Sequence, residues 1–471
     1  MCTAETASIA PRNAPSEPIR RISTRNAVWN PPGFGERKLT GAYLTDSVPG
    51  TGGRLRARPE DFRVEEIPLA LPGGDGEHLY LWVEKRGVST IEALRALCRG
   101  LGAPEAEAGY AGLKDANAVT RQWFSFKSKA RELPIAASRL EKAGIRVLEE
   151  ARSRRRIRRG ALAGNRFDIL VRDVGPDAEE RAREILDRLV ARGLPNAFGD
   201  QRFGVHGHTA RVGFAFARGD WRGVLDALLG GARFASTRND ADERLLEAAR
   251  RYEAGEFRGA GELYPPSWEA ERRALARLEK GASPRQAAAS IPLRERFLYG
   301  GAFQACVFNS CLAGRLEARA HDHLWAGDVV FHHETGKTRR VGAPEAEARP
   351  LARFEVSPAG PLIGRKLIGA RGEAGKLERS VLDSLGIGGL EILDGLERLK
   401  LHGSRRPYRV QMREVSLRPE KEGLRLGFTL PPGSYASEVL RELTKNEPPV
   451  GAVTRIGGEH RADSSATWGR K

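Results

Sequence analysis

The sequence predicts a protein of mixed helices and strands, large enough for more than one globular unit. Three observations carry that reading. Apolar residues alternate with period two in several short runs, as strands with one buried face require. Other stretches repeat apolar residues at helical spacing behind N-terminal capping signals. The chain has 471 residues, of which 40% are hydrophobic, so one large or two ordinary domains can be given real cores.

Charge narrows the partners. Against 61 Asp+Glu stand 78 Lys+Arg, a formal net charge of +17. That balance points to a polyanion, nucleic acid first. No apolar run is long enough to span a bilayer, and the N-terminus lacks the apolar core of a secretory signal. Cys2, Cys98, Cys306 and Cys311 show neither paired metal spacing nor a disulfide framework. A reducing cytoplasm, no structural zinc and a monomer are expected.

Residues 1–39 are rich in Pro, Ser, Thr, Ala and Arg without periodicity and read as a disordered arm. In Arg54–Ile67, Pro59 favours extended backbone before it. Phe62, Val64 and Glu66 then alternate with charged residues, as in an edge strand with a solvated face. His78–Glu84 alternates as a strand. Ser89-Thr-Ile-Glu92 is a capping box. Behind it Ile91, Leu94, Leu97, Cys98 and Leu101 keep helical spacing, and Gly102 stops the helix. That helix leads to the loop of Asp115, which follows Lys114 and is closed by the aromatic strand Gln122–Phe126. A carboxylate in a glycine-flanked loop on a strand is a common way to present a reactive group. Taken alone, Asp115 would more often be a solvated loop residue.

Arg152–Arg159 holds six arginines in eight residues, including Arg154, Arg155, Arg156 and Arg158. Like charges this dense repel unless an anion lies among them, so the run is expected to contact a phosphate backbone. In Gly164–Arg172, Phe167, Ile169 and Val171 share one strand face. Asp177–Glu180 should cap a helix running through Ile185, Leu186, Leu189 and Val190 to Gly193. From Gly207 to about Leu401 the chain carries Ala/Arg/Glu-rich helices such as Asp242–Arg251, and the apolar Phe303–Asn309. Leu424, Leu426, Phe428 and Leu430 alternate along a strand, Pro431-Pro-Gly433 turns the chain, and Ser437–Leu443 reads as a helix.

Two patterns mislead. Gly336-Lys-Thr338 invites a phosphate-loop reading, but Phe331 stands where the earlier glycine is needed, so no nucleotide cofactor is expected. His321, His323, His332 and His333 have no supporting cysteine or carboxylate spacing and read as ordinary histidines.

Gly112-Leu-Lys-Asp115, Ala118-Val-Thr120 and Gln122-Trp-Phe-Ser125 together resemble the signature of the TruD family of tRNA pseudouridine synthases. Further blocks resemble the same family in the same order. They are Pro59-Glu-Asp-Phe62, Gly164-Asn-Arg-Phe167, Asn196-Ala-Phe-Gly-Asp-Gln-Arg-Phe-Gly204 and Leu430–Glu442. The resemblance covers most of residues 50–445.

It implies an α+β fold: a pseudouridine-synthase-like catalytic domain with a mixed sheet, plus a largely helical inserted TRUD domain. The expected divisions are residues 40–206 for the first part of the catalytic domain, 207–401 for the insertion, 402–455 for the completion and 456–471 for a flexible tail. It implies Asp115 as the catalytic carboxylate, Asn165 as its support, and Phe167 as the aromatic that stacks on the target base. Arg56 stands where the family usually has lysine; arginine keeps the charge but not the geometry. Lys114 or Arg56 would hold Asp115 ionised, unless Lys114 faces away from its neighbour. Tyr435 reads as a cleft aromatic or a core one, and Gln201 and Arg202 lie near the cleft or the RNA.

The implied reaction is isomerisation of a tRNA uridine, uridine 13 of the D arm, to pseudouridine. It consumes no water and includes no redox step, so no metal or organic cofactor is expected. Asp115 would attack the base or the sugar carbon, or act as a base at the sugar. The rivals are a non-catalytic RNA-binding or RNA-folding protein and, more weakly, an NTPase.

Overall fold

A computed structural model describes residues 43–127, 137–204, 207–231 and 243–446. The predicted arm at 1–39 and tail at 456–471 lie outside the described residues. The strands, in chain order, are β1 (Phe62–Pro68), β2 (His78–Arg86), β3 (Gly109–Tyr110), β4 (Val119–Lys127), β5 (Ile145–Ser153), β6 (Leu162–Arg172), β7 (Leu194–Pro195), β8 (Val329–His332), β9 (Thr338–Arg340), β10 (Val356–Leu362), β11 (Ser404–Pro407), β12 (Arg409–Val410), β13 (Arg413–Glu420) and β14 (Gly423–Leu430). One eight-stranded sheet runs β13-β14-β6-β1-β4-β2-β5, with β3 also on β4. Only the β1–β4 pair is parallel, so the sheet is mixed. The fold is α+β, and its sheet draws strands from both sides of a long, largely helical insertion.

β1 is not the edge strand its charged alternation suggests; it lies between β6 and β4. Its polar residues face charged neighbours on adjacent strands instead of open solvent. Glu65 takes ion pairs from Arg121 and Arg166, and Arg166 also reaches Glu414. On the other face Phe62 and Val64 pack with Phe167, Ile169, Leu426 and Phe428 in the larger core.

The first helices follow their signals. α1 (Thr90–Leu101) starts on the complete Ser89/Glu92 capping box and ends on Gly102 at φ 61°, a left-handed conformation natural to glycine. α1 buries Leu94 and Leu97 against Leu81, Val83 and Phe124 in a second core, worth about 1.5–3 kcal/mol for each leucine. α2 (Ala137–Lys142) is short, and α3 (Ala178–Arg192) buries Ile185, Leu186 and Leu189. Asp177 occupies the start of α3, but its side chain makes no cap hydrogen bond because its own backbone sits in the left-handed region at φ 55°. Val190 is exposed, at the edge of the helix's apolar stripe.

The insertion holds α4 (His208–Arg218), α5 (Trp221–Leu229), α6 (Glu243–Ala254), α7 (Phe257–Leu263), α8 (Glu269–Glu279), α9 (Pro284–Ala289), α10 (Leu293–Glu317), α11 (Ala348–Ala352), α12 (Gly372–Ser384) and α13 (Leu390–Arg398). Its strands β8, β9 and β10 form an antiparallel sheet, β11-β10-β8-β9, with β11 from beyond residue 401, a sheet that the sequence did not announce. Pro358 and Pro361 inside β10 hide its strand character. Gly336-Lys-Thr338 closes the turn between β8 and β9, with no helix following, so it is a hairpin and not a phosphate loop. α14 (Ala436–Thr444) returns to the large sheet's core through Val439, Leu440 and Leu443.

Candidate active site

The two cores lie on the same face of the large sheet, and a polar seam divides them. Successive rows across the strands show how it arises. One row pairs Lys85 with Thr120 and Thr120 with Val64. The next pairs Val83 with Gln122, while on the far side of the β1–β4 junction Glu66 pairs with Asn165 and Asn165 with Leu430. Here β1 leaves β4, and β3 takes over the β4 edge at Ser125 and Phe124. The loop from Ala111 to Ala118 lies over this opening.

The seam holds the loop. Gln122 donates through Nε2 to the Gly112 carbonyl at 3.0 Å and accepts from Thr90 Oγ1 at 2.9 Å. Thr90 Oγ1 accepts from the Lys114 amide at 2.9 Å. Lys114 turns away from Asp115 and reaches Glu66 Oε2 at 2.7 Å. That pair is buried, with side-chain exposures of 5% and 1%. Burial raises the Glu66 carboxyl above its ordinary pKa, with the Lys114 ammonium opposing the shift.

The partner of Asp115 is therefore Arg56, not Lys114. Arg56 Nη2 donates to Asp115 Oδ2 at 2.9 Å, each side chain 29% exposed. The Arg56 guanidinium carbon lies 4.0 Å from the centre of the Phe62 ring. Its backbone is left-handed at φ 55°, a conformation that costs a non-glycine residue about 1–2 kcal/mol. Asp61 fixes the approach: it accepts from the Arg58 amide and takes two guanidinium bonds from Arg172, at 2.8 and 2.7 Å. These bonds, led by Arg172, lower the Asp61 pKa.

Phe167 is buried, stacked on Phe428 at 5.2 Å between centroids and edge-on to Phe62 at 6.4 Å. Asn165 makes no hydrogen bond to Asp115; its Oδ1 is buried without a partner among the described residues. Phe167 thus joins the Asp115 cluster through Phe62, and Asn165 joins it through the Glu66 row.

A second cluster forms around the 196–204 block. Phe198 packs against Tyr435, 6.3 Å between ring centres, and against Phe308 of α10. Arg406 lies 4.1 Å from the Phe198 ring centre and donates to Asn196 Oδ1 at 2.6 Å and to the Gly433 carbonyl at 2.8 Å. Its burial pushes the guanidinium down to about 10. Arg202 is largely buried too, which lowers its pKa, and its Nε has no partner among the described residues. It lies against Gly301 of α10: a side chain at that glycine would come within 2.4 Å of the guanidinium. Gln201 sits half-buried beside it.

The family model for tRNA pseudouridine synthase D (TruD) matches residues 38–443. The chain belongs to the TruD family. A relative from Geobacter sulfurreducens named tRNA pseudouridine synthase D is 43% identical over 406 residues, covering 86% of this chain and 96% of that one. One from Geotalea daltonii with the same name is 40% identical, covering 86% and 99%. A crystal structure assigned to this family, from Methanosarcina mazei, superposes with a TM-score of 0.72 at 28% identity, covering 88% of this chain and 98% of that one. The α+β fold with its insertion is thus the TruD fold.

The arginine run lies beside the TruD-type loop. Gly160 N donates to the Ala111 carbonyl at 2.8 Å, and Arg159 bonds the Tyr110 hydroxyl at 2.9 Å. Arg156 donates to the Ala106 carbonyl at 2.6 Å. Arg154, Arg155, Arg156 and Arg158 are all exposed, and no carboxylate among the described residues pairs with them. Among the described residues no group of His, Cys, Asp or Glu could hold a metal ion, and no helix is long and apolar enough to cross a membrane. His321 is buried and falls to a pKa of about 4, and His333, bonded to Ser357, does likewise.

Sequence reading missed Lys85. It is fully buried, and its ammonium donates to the carbonyls of Val88 at 2.7 Å, Asp115 at 2.8 Å and Lys114 at 3.4 Å. Burial pushes its pKa down to about 7, with the Asp115 carboxylate opposing. The signal was present in the strand alternation: Leu79, Leu81, Val83 and Lys85 share one face.

Proposed function

We propose that this chain isomerises a tRNA uridine to pseudouridine, acting on uridine 13 of the D arm with Asp115 as the catalytic carboxylate. The observation that carries the reading is the loop of Asp115 itself. It is pinned at the carbonyls of Gly112, Lys114 and Asp115, and its carboxylate is left facing one guanidinium, that of Arg56. Family membership supplies the reaction class.

The bond between N1 of the base and C1′ of the sugar breaks, the uracil turns, and C5 bonds to C1′. The C5 proton leaves and N1 gains one. Asp115 attacks the base, attacks C1′ or takes a proton at the sugar; each role requires an ionised carboxylate, and the Arg56 guanidinium at 2.9 Å is its counter-charge. Freeing the base from its stack costs a few kcal/mol. Phe167, between Phe62 and Phe428, with Tyr435, would return part of this by stacking, about 1–3 kcal/mol per base. Asn165 Oδ1 offers an acceptor to the base or to the loop. Gln201 and Arg202 would contact the RNA beside the cleft, and the exposed arginines at 154–158 would contact its phosphates.

The test is Asp115→Asn, followed by melting temperature, tRNA affinity and pseudouridine yield mapped by position. Melting and affinity should persist, because binding rests on phosphate contacts elsewhere, while yield falls to background. Near wild-type yield removes Asp115 from the mechanism. Wild-type protein that binds tRNA but leaves every uridine unchanged favours a binding protein.

A further inference from the structure

A cavity of 640 Å³ opens in the insertion where α8 passes the end of α9 and the start of α10. Its lining includes Arg273, Arg277, Lys280, Ser290, Leu293 and Arg296. Arginines on the preceding helices find carboxylates, Arg251 of α6 at Glu247 and Arg258 of α7 at Glu262, and in the lining itself Arg273 pairs with Glu269. Among the described residues Arg277, Lys280 and Arg296 do not, and the Nε atom of Arg296 is buried without a partner. Glu295, next to Arg296 in sequence, is turned to the Tyr299 hydroxyl. Three unneutralised cations thus converge on one concavity, and the N-terminal end of α10 at Leu293 adds its partial positive charge.

We infer that this cavity is an oxyanion site that takes a backbone phosphate of the RNA. The inference rests on the proposed tRNA substrate and adds a binding point distinct from the Asp115 loop and the arginine run. Charge supports RNA over a free anion: the chain carries a formal net charge of +17, and the exposed arginines at 154–158 offer further phosphate contacts to the same polyanion.

The variant Arg277→Gln/Lys280→Gln changes two exposed side chains and leaves the half-buried Arg296 in place, so the fold is not at issue. Wild type and variant are compared for tRNA binding from 50 to 200 mM salt. Losing this one phosphate contact should make the slope of log affinity against log salt shallower by about 0.7–0.9. Inorganic phosphate, added at matched ionic strength, should displace tRNA from wild type more than from the variant. An unchanged slope in the variant overturns the inference and leaves the proposed function standing, provided wild type binds and converts tRNA. Phosphate binding abolished in the variant while the tRNA slope stays put identifies a small-anion site and also overturns it. Failure of wild type to bind tRNA would defeat the functional reading itself.

Discussion

Replacing Lys85 with methionine separates holding the Asp115 loop from holding the fold. Methionine keeps the apolar stem and removes the ammonium. The carbonyls of Val88 and Asp115 then lose their close donor, and that of Lys114 loses its weaker one at 3.4 Å. An unsatisfied buried acceptor costs about 1–3 kcal/mol, so the loss is about 2–6 kcal/mol. In the other direction, the Lys85 pKa is driven from 10.5 to about 7 by burial. At low pH that is about 5 kcal/mol of destabilisation which methionine lacks. The two effects nearly cancel, and stability should change by no more than ~3 kcal/mol. Turnover should not be spared: a loop displaced by 1 Å costs on the order of a hundredfold.

The pH dependence gives a second readout. The folded pKa lies below the unfolded one, so between about 7 and 10.5 the unfolded chain holds a proton that the folded chain has released. Wild-type unfolding free energy therefore rises with pH across that window, and Lys85→Met should lack the rise. Asp115, Lys114 and Glu92 are the charged groups that face the amine. In wild type, turnover should decline as pH rises through about 7, because a neutral amine has two donors for three carbonyls. Single-turnover pseudouridine formation from pH 6 to 9 with saturating tRNA, paired with urea melts, decides the matter. A variant with wild-type turnover and an unaltered pH profile would refute the positioning role.

Two further predictions concern the charged groups around the loop. The triple change Arg154→Ala, Arg155→Ala, Arg158→Ala should weaken tRNA binding and reduce the salt slope by about 0.7–0.9 for each phosphate no longer neutralised; an unchanged slope returns these residues to a solvated face. Lys114→Met strands a buried carboxylate and should cost about 3–5 kcal/mol in chemical denaturation, whereas Lys114→Met with Glu66→Leu should be close to neutral; equal losses in both would show that the ion pair is not the unit that matters.

Alternation and capping were legible because they are local. The Ser89/Glu92 box, the Gly102 stop and the period of β2 and β14 need no knowledge of neighbours. What failed depended on neighbours. The central place of β1 could not be read from its own residues, since Arg63 and Glu65 look solvated until Arg121 and Arg166 are brought beside them. The β8–β11 sheet was hidden by the prolines of β10. In the site, Asp115 and Arg56 were legible as motif residues, but their pairing stayed one of two alternatives, because 59 residues separate them and Lys114 is the nearer cation in sequence.

The seam explains why the useful polar residues fall where they do. An apolar sheet face admits polar side chains only where each finds a partner, and the opening between β1 and β4 supplies those partners in the loop. Gln122, Lys85, Glu66 and Thr90 each use a hydrogen bond on that loop, directly or through Lys114. The sheet's local departure from apolar alternation and the loop's fixed position are therefore one arrangement. Lys85 shows it most plainly: a lysine continuing an apolar face is a poor core residue, and it is held there by the carbonyls of the residues it positions. On this face Thr120 Oγ1 and Asn165 Oδ1 are left without partners among the described residues. The hydroxyl can donate or accept, whereas the amide oxygen can only accept. The open acceptor at Asn165 marks the side of the seam to which a base, with its own donors, would be complementary.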